Sequence, residues 1–125
     1  MEISKMESNL KMDNLYFSKC SIERSSEVKK GSYHADLQKE TKQLGDHHYE
    51  IELTLTLKKD DLLLEVTANA HFWYEADQYE NEEVIIKRNT VAIMFPFIRS
   101  QVTLLTTQPG MTPVVLPPIN TTKFE

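Results

Sequence analysis

Residues 50 to 74, Glu-Ile-Glu-Leu-Thr-Leu-Thr-Leu-Lys-Lys-Asp-Asp-Leu-Leu-Leu-Glu-Val-Thr-Ala-Asn-Ala-His-Phe-Trp-Tyr, decide the fold of this chain. Ile51, Leu53, Leu55 and Leu57 fall on one side of an extended backbone, and Glu50, Glu52, Thr54, Thr56 and Lys58 on the other. That is the period of a strand with one wet face. After a tight reversal at Lys59-Asp60, Leu62, Leu64, Val66, Ala68, Ala70, Phe72 and Tyr74 alternate with Leu63, Glu65, Thr67, Asn69, His71 and Trp73. Two adjacent antiparallel strands follow. Burying the aliphatic row of the first is worth about 6 to 12 kcal/mol before chain entropy is subtracted. A slip of one residue would turn that row to water, so the register is firm.

The signal weakens toward the amino terminus. Tyr33, Ala35 and Leu37 alternate with His34, Asp36, Gln38 and Glu40 across residues 33 to 43, an edge or strongly twisted strand. From Leu15, Tyr16, Ser18, Cys20 and Ile22 oppose Phe17, Lys19, Ser21 and Glu23, giving a first strand. Residues 1–14 show no sustained period and are expected to form a flexible lead-in to a single domain spanning 15–125.

Toward the carboxyl terminus the period changes. Asp77, Glu80, Glu82 and Glu83 suit the positive end of a helix. The helix itself is best supported from Thr90 to Thr107, where Val91, Met94, Phe95, Ile98, Val102 and Leu105 recur at helical spacing, widened by Ile93 and Phe97. Such a broad stripe exceeds what one small sheet covers, so these six residues are the expected interface of a homo-oligomer. Pro96 predicts a kink, or a regular part that begins near it. Pro109-Gly110 closes the helix, and Val114-Val115-Leu116 between Pro113 and Pro117 run extended over a surface. Asn120 to Glu125 read as the cap of a further helix.

Composition removes several classes. The 125 residues carry 14 Lys plus Arg against 19 Asp plus Glu, a formal charge of -5 that offers no basic excess for nucleic acid. The longest apolar run, Val91 to Ile98, contains Pro96 and is well short of the roughly 20 residues needed to cross a bilayer, so no membrane insertion is expected. A single cysteine, Cys20, cannot form an internal disulfide and suits a reducing cytoplasm.

The candidates for chemistry are weak. His47 and His48 are adjacent and point to opposite faces of a strand, with His34 and His71 elsewhere, so no zinc spacing arises. Cys20 lacks a base, and Glu50, Glu52 and Glu65 read as a solvated sheet face. Gly31, Gly45 and Gly110 are too far apart for a phosphate loop, and Lys29-Lys30 and Lys58-Lys59 are short, acid-flanked pairs. No catalytic residue, metal or cofactor is expected. Among Phe72, Trp73 and Tyr74, Trp73 lies opposite the other two; it either packs under the Pro113 to Pro118 segment or lines a groove for an extended apolar peptide.

The order of the segments resembles the SecB protein-export chaperone family. Ile93-Met94-Phe95-Pro96-Phe97-Ile98-Arg99 is similar to the family's helix entry, Pro109-Gly110-Met111 to its helix exit, and Leu116-Pro117-Pro118-Ile119-Asn120 to the end of its crossover loop. Leu15-Tyr16, Ser21-Ile22-Glu23, Gln43-Leu44, Tyr49-Glu50 and Leu63-Leu64-Glu65-Val66 add matches in the strands. The resemblance implies an α+β fold, a four-stranded antiparallel sheet packed against one long helix. It implies protomers joined across their sheets and dimers pressed together through their helices. It implies an ATP-independent chaperone for non-native, extended precursor polypeptides, which are handed to the SecA motor. The family's peptide grooves would map to Trp73, Tyr74, Val114, Val115 and Leu116, and its motor-docking face to Glu23, Leu63 and Glu65. Lys19 stands where the pattern has an acid, which weakens that face. Members usually continue through a second helix and a polar tail, whereas this sequence reaches Glu125, so a groove lacking its helical border is expected to bind more weakly. The alternative is a structural or adaptor protein that uses the same scaffold for one folded partner. An enzyme in the cleft between sheet and helix is disfavoured by the lack of a convergent nucleophile, acid and base.

Overall fold

The computed structural model describes residues 9–27, 30–76 and 78–119. Four strands, β1 (Leu10–Arg24), β2 (His34–Gly45), β3 (His48–Lys59) and β4 (Leu62–Tyr74), precede one helix, α1 (Glu82–Leu105). The sheet is antiparallel with order β1-β4-β3-β2, so β1 adds to the far side of the β2-β3-β4 meander and β1 and β2 are its edges. The chain leaves β1 beside the β3–β4 turn, where Ser25 N–H donates to the Asp61 carbonyl at 2.9 Å. It re-enters at the other edge, His34 opposite Lys58.

The expected register holds at the centre of the sheet. Ile51 faces Ala70, Leu53 faces Ala68, Leu55 faces Val66 and Leu57 faces Leu64, all buried. The two alanines leave a shallow trough in which α1 lies close to β4, placing Val91, Met94, Ile98 and Val102 at 0 % exposure over the sheet. On the opposite face, polar side chains of β4 are satisfied by cross-strand partners. Thr67 and Thr54 share a hydrogen bond between hydroxyls at 3.0 Å, and the Asn69 amide donates to Ser18 Oγ at 2.6 Å.

Three expectations change. β1 begins at Leu10 rather than Leu15, so residues 10–14 belong to the sheet; the rest of the expected lead-in, and the cap at residues 120–125, lie outside the described residues. Register shifts between Asp13 and Tyr16 and between Phe17 and Lys19, with Asn14 at φ 56°, interrupt the alternation there. They also regroup the faces. Phe17, Cys20 and Ile22 pair with the helix-side residues Ala68, Val66 and Leu64, while Tyr16, Lys19, Ser21 and Glu23 share the outer face.

The helix starts at Glu82, eight residues before Thr90, with Glu82 and Glu83 in its first turn. Pro96 lies inside it. Ala92 and Pro96 are both exposed, so the Ala92 carbonyl that Pro96 cannot satisfy is turned to water, and the helix continues.

The third change concerns the apolar stripe. Val91, Met94, Phe95, Ile98 and Val102 are buried against the chain's own sheet and Leu105 packs half-buried beside them, so the residues expected at an oligomer interface belong to the protomer core. Ala68 and Ala70, both buried, are small enough for the helix to approach closely, so one sheet takes the centre of the stripe while Phe97 at its margin stays exposed. Apolar surface left on α1 includes an outward row, with Phe97 at 44 % and Leu104 at 67 % exposure, and Val84 near its start at 50 %.

Candidate functional site

Beyond α1 the chain reverses at Pro109–Gly110, where Gly110 has φ 72°, a conformation that strains any L side chain. The Arg24 guanidinium donates to the Pro109 and Gly110 carbonyls at 3.1 and 3.3 Å, tying this turn to the end of β1. Residues 111–119 then return along the helix. Val114 N–H donates to Thr106 Oγ1 and Thr103 Oγ1 to the Val114 carbonyl, both at 2.8 Å, and Arg99 Nε donates to the Leu116 carbonyl at 2.9 Å. A segment bounded by prolines cannot pair as a full strand, so side chains of α1 satisfy its backbone instead.

These anchors mark one flank of α1. Gln101, on the other flank, reaches the Cys20 thiol on β1 at 3.6 Å. The return segment therefore lies toward β2, and Met111 shares a small pocket with Tyr33 and Lys59. Leu116 is buried, Val114 half-buried and Val115 75 % exposed. Pro96, Arg99, Ser100, Thr103, Val115 and Leu116 line an open depression of about 320 Å³. It adjoins the outward Phe97 and Leu104 row, because Ser100 sits between them at helical spacing.

The sheet separates the other two expected groove residues. Tyr74 points to the helix side and is buried, 5.9 Å from the Tyr79 ring. Trp73 points to the outer face, stacked on His48 at 4.2 Å. Val114, Val115 and Leu116 thus stand together, while Trp73 lies across the sheet and cannot pack under the proline-bounded segment. The strand's period of two imposes that division.

The expected docking residues do share a face. Glu23 pairs with Leu63, and Ser21 with Glu65, on the outer side of β1 and β4. Lys19 Nζ meets Glu65 Oε2 at 3.1 Å, so this patch carries its own cation.

Two polar contacts were not legible from spacing. Lys39, on the helix side of β2, donates to the Ile86 and Lys87 carbonyls, each at 2.8 Å. Burial, then the Lys87 charge, lowers its pKa from 10.5 to about 8. Between these values the unfolded chain binds more protons than the folded one, so stability rises with pH through that window. Tyr49 acts in the opposite sense only above its ordinary 10.0: burial, with the hydrogen bond to Glu82 and the Glu82 and Glu83 charges, pushes it to about 12. We expect the denaturation midpoint of the wild type to rise relative to Lys39→Met between about pH 8 and about pH 10, with urea unfolding followed by circular dichroism as the check. An unchanged difference would remove the lysine from the account.

Glu82 is the second contact. Its carboxylate takes His47 Nδ1 on one oxygen and the Tyr49 hydroxyl on the other, while Tyr79 stacks on His47 at 3.9 Å. This cluster fixes the start of α1 to the β2–β3 turn, beside a cleft of about 510 Å³ that includes Thr41, Tyr49, Tyr79 and Ile86.

A sheet with a meander and an added edge strand, one long helix across it, and a tethered return segment define a SecB-like α+β protein. Comparisons with known proteins agree. The family model for the preprotein translocase subunit SecB matches residues 4–124, and the chain belongs to the SecB family. It is 32 % identical over 117 residues to the protein-export protein SecB of Alkalilimnicola ehrlichii, covering 85 % of this chain and 62 % of that protein. The chain thus spans less than two thirds of that relative's length.

Among solved structures, the fold is similar to the Mycobacterium tuberculosis SecB-like chaperone Rv1957, in complex with a ChAD peptide from the Rv1956 HigA1 antitoxin. The TM-score is 0.72 at 12 % identity, over 94 % of this chain and 92 % of that one. A Streptococcus agalactiae protein of unknown function gives a TM-score of 0.50 at 10 % identity, over 86 % of this chain and 96 % of that one. No helix among the described residues is long and apolar enough to cross a membrane.

Proposed function

We propose that this protein is an ATP-independent cytoplasmic chaperone that holds non-native, extended polypeptides along the flank of α1 bordered by residues 111–119. The observation that carries this reading is Val115, largely exposed on a segment whose backbone is held to α1 by Arg99, Thr103 and Thr106. A fixed apolar rim costs no ordering when a client lands on it. Membership of the SecB family supports the client class, and the peptide in complex with the mycobacterial protein of similar fold supports a peptide ligand. A second copy packs against the outward Phe97 and Leu104 row, making a homo-oligomer in which the client path continues from one protomer to the next.

Suppression of aggregation decides the matter. Equimolar protein added to a client diluted from denaturant is expected to lower light scattering without nucleotide. Unchanged scattering, with no binding of the unfolded client, would end the reading.

In export, the Glu23, Leu63 and Glu65 patch docks the SecA motor, and the Lys19–Glu65 ion pair weakens that contact by masking a carboxylate. Lys19→Asp is expected to tighten binding to purified SecA at least threefold at about 0.1 M salt, since the variant frees one acid and adds another. Calorimetric titration reads this directly. Equal or weaker binding by the variant would show that the patch is not the docking face.

A further inference from the structure

On the outer face of the sheet, at the end remote from Glu23, Leu63 and Glu65, two histidines from neighbouring strands meet. His48 of β3 lies opposite Trp73, and His71 of β4 lies opposite Glu50, so the imidazoles are diagonal neighbours on one face. His48 Nε2 and His71 Nδ1 are 3.1 Å apart, and both residues are half-buried. Trp73 stacks on the His48 ring within 9° of parallel and covers one side of the pair. None of these residues enters the proposed chaperone site.

We propose that His48 and His71 form a two-imidazole site for a divalent transition-metal ion of the Ni2+ or Cu2+ class. With metal–nitrogen bonds of about 2.0 to 2.1 Å, the 3.1 Å separation corresponds to an angle of about 95 to 102° at the metal. That lies between the right angle of tetragonal Ni2+ and Cu2+ and the tetrahedral angle of Zn2+, and the Irving–Williams order, in which Cu2+ binds imidazole more tightly than Zn2+, decides for the former class. The two nitrogens now share one hydrogen. On binding, the donating ring moves that hydrogen to its other nitrogen, both imidazoles stay neutral, and no proton is lost overall. Small ring rotations then aim both lone pairs at the ion.

Asp13 on β1 and Glu50 on β3 stand opposite His71 on either side, which favours a cation at this point of the sheet. The described residues contain no group of three or more His, Cys, Asp or Glu placed to hold a metal, so this is an open, two-ligand site completed by water. Affinity in the micromolar range follows, rather than that of a closed structural centre.

Trp73 is the chain's only tryptophan and touches the site, so its fluorescence reports binding. Untagged full-length protein is titrated with Ni2+, with Mg2+ as the hard-cation control. Saturable quenching by Ni2+ in the micromolar range is expected, with none by Mg2+, together with a rise in melting temperature at saturation. His48→Gln and His71→Gln, checked for native circular dichroism, are each expected to weaken the midpoint at least tenfold, whereas His47→Gln leaves it unchanged. No quenching up to millimolar Ni2+, or equal quenching in the His48→Gln and His71→Gln variants, would overturn the proposal.

Discussion

Ile98→Asp is expected to abolish the folded state, while Phe97→Asp, one position away, leaves the fold intact and lowers the mass of the assembly. Ile98 has no exposed surface and packs on the sheet face of β4. Losing its side chain alone costs about 2 to 5 kcal/mol, and an aspartate there must be desolvated without a prepared partner. Against the roughly 5 to 15 kcal/mol that holds an ordinary domain together, that loss is decisive. Phe97 is 44 % exposed on the outward row, and a charge there meets water in the protomer but repels its counterpart across an interface between copies. Light scattering coupled to gel filtration separates the outcomes. A native-like Ile98→Asp protein would contradict the burial of the stripe, and an unchanged mass for Phe97→Asp would contradict an interface on that row.

The second large effect falls on client binding. Leu116→Asp should release the return segment from α1, because Leu116 is the one buried side chain of residues 111–119. A free segment must be ordered each time a client binds, and about 1.4 kcal/mol of ordering cost is already tenfold in affinity. We therefore expect the concentration of protein needed to halve client aggregation to rise about tenfold. The sheet and helix should stay intact, since Leu116 lies at the margin of a core centred on Phe72, Leu53 and Ile98. Holding by Leu116→Asp equal to wild type would show that clients bind elsewhere.

Where a row of side chains has a single neighbour to satisfy, the sequence is legible. Ile51 to Leu57 and Leu62 to Tyr74 alternate without interruption, and their register is as their pattern requires. β1 is harder because two bulges shift the phase, so Phe17 and Cys20 share a face that strict alternation denies them. The stripe on α1 is visible, but its partner is not. Whether Val91, Met94 and Ile98 meet their own sheet or a second copy depends on Ala68 and Ala70 across a trough that no linear pattern reveals.

The groove was half legible for the same reason. Proline boundaries mark Val114 to Leu116 as an extended surface segment, yet only the tertiary path, through Arg99, Thr103 and Thr106, says which flank of the helix it follows. Trp73 lies on the face opposite Phe72 and Tyr74, as the strand's period requires. Its stacking on His48, and the approach of His71, depend on the β3–β4 register rather than on any spacing within one strand.

The central claim concerns where an unfolded chain lies, and site-directed photocrosslinking addresses it most directly. A photoreactive side chain at Val115, on the displayed rim, is compared with one at Lys42, an exposed position on the outer face of β2. A client diluted from denaturant is predicted to crosslink strongly from Val115 and only at background from Lys42, with no crosslink when the client is already folded. Background crosslinking from Val115 to the unfolded client, or equal yields from both positions, would contradict the account.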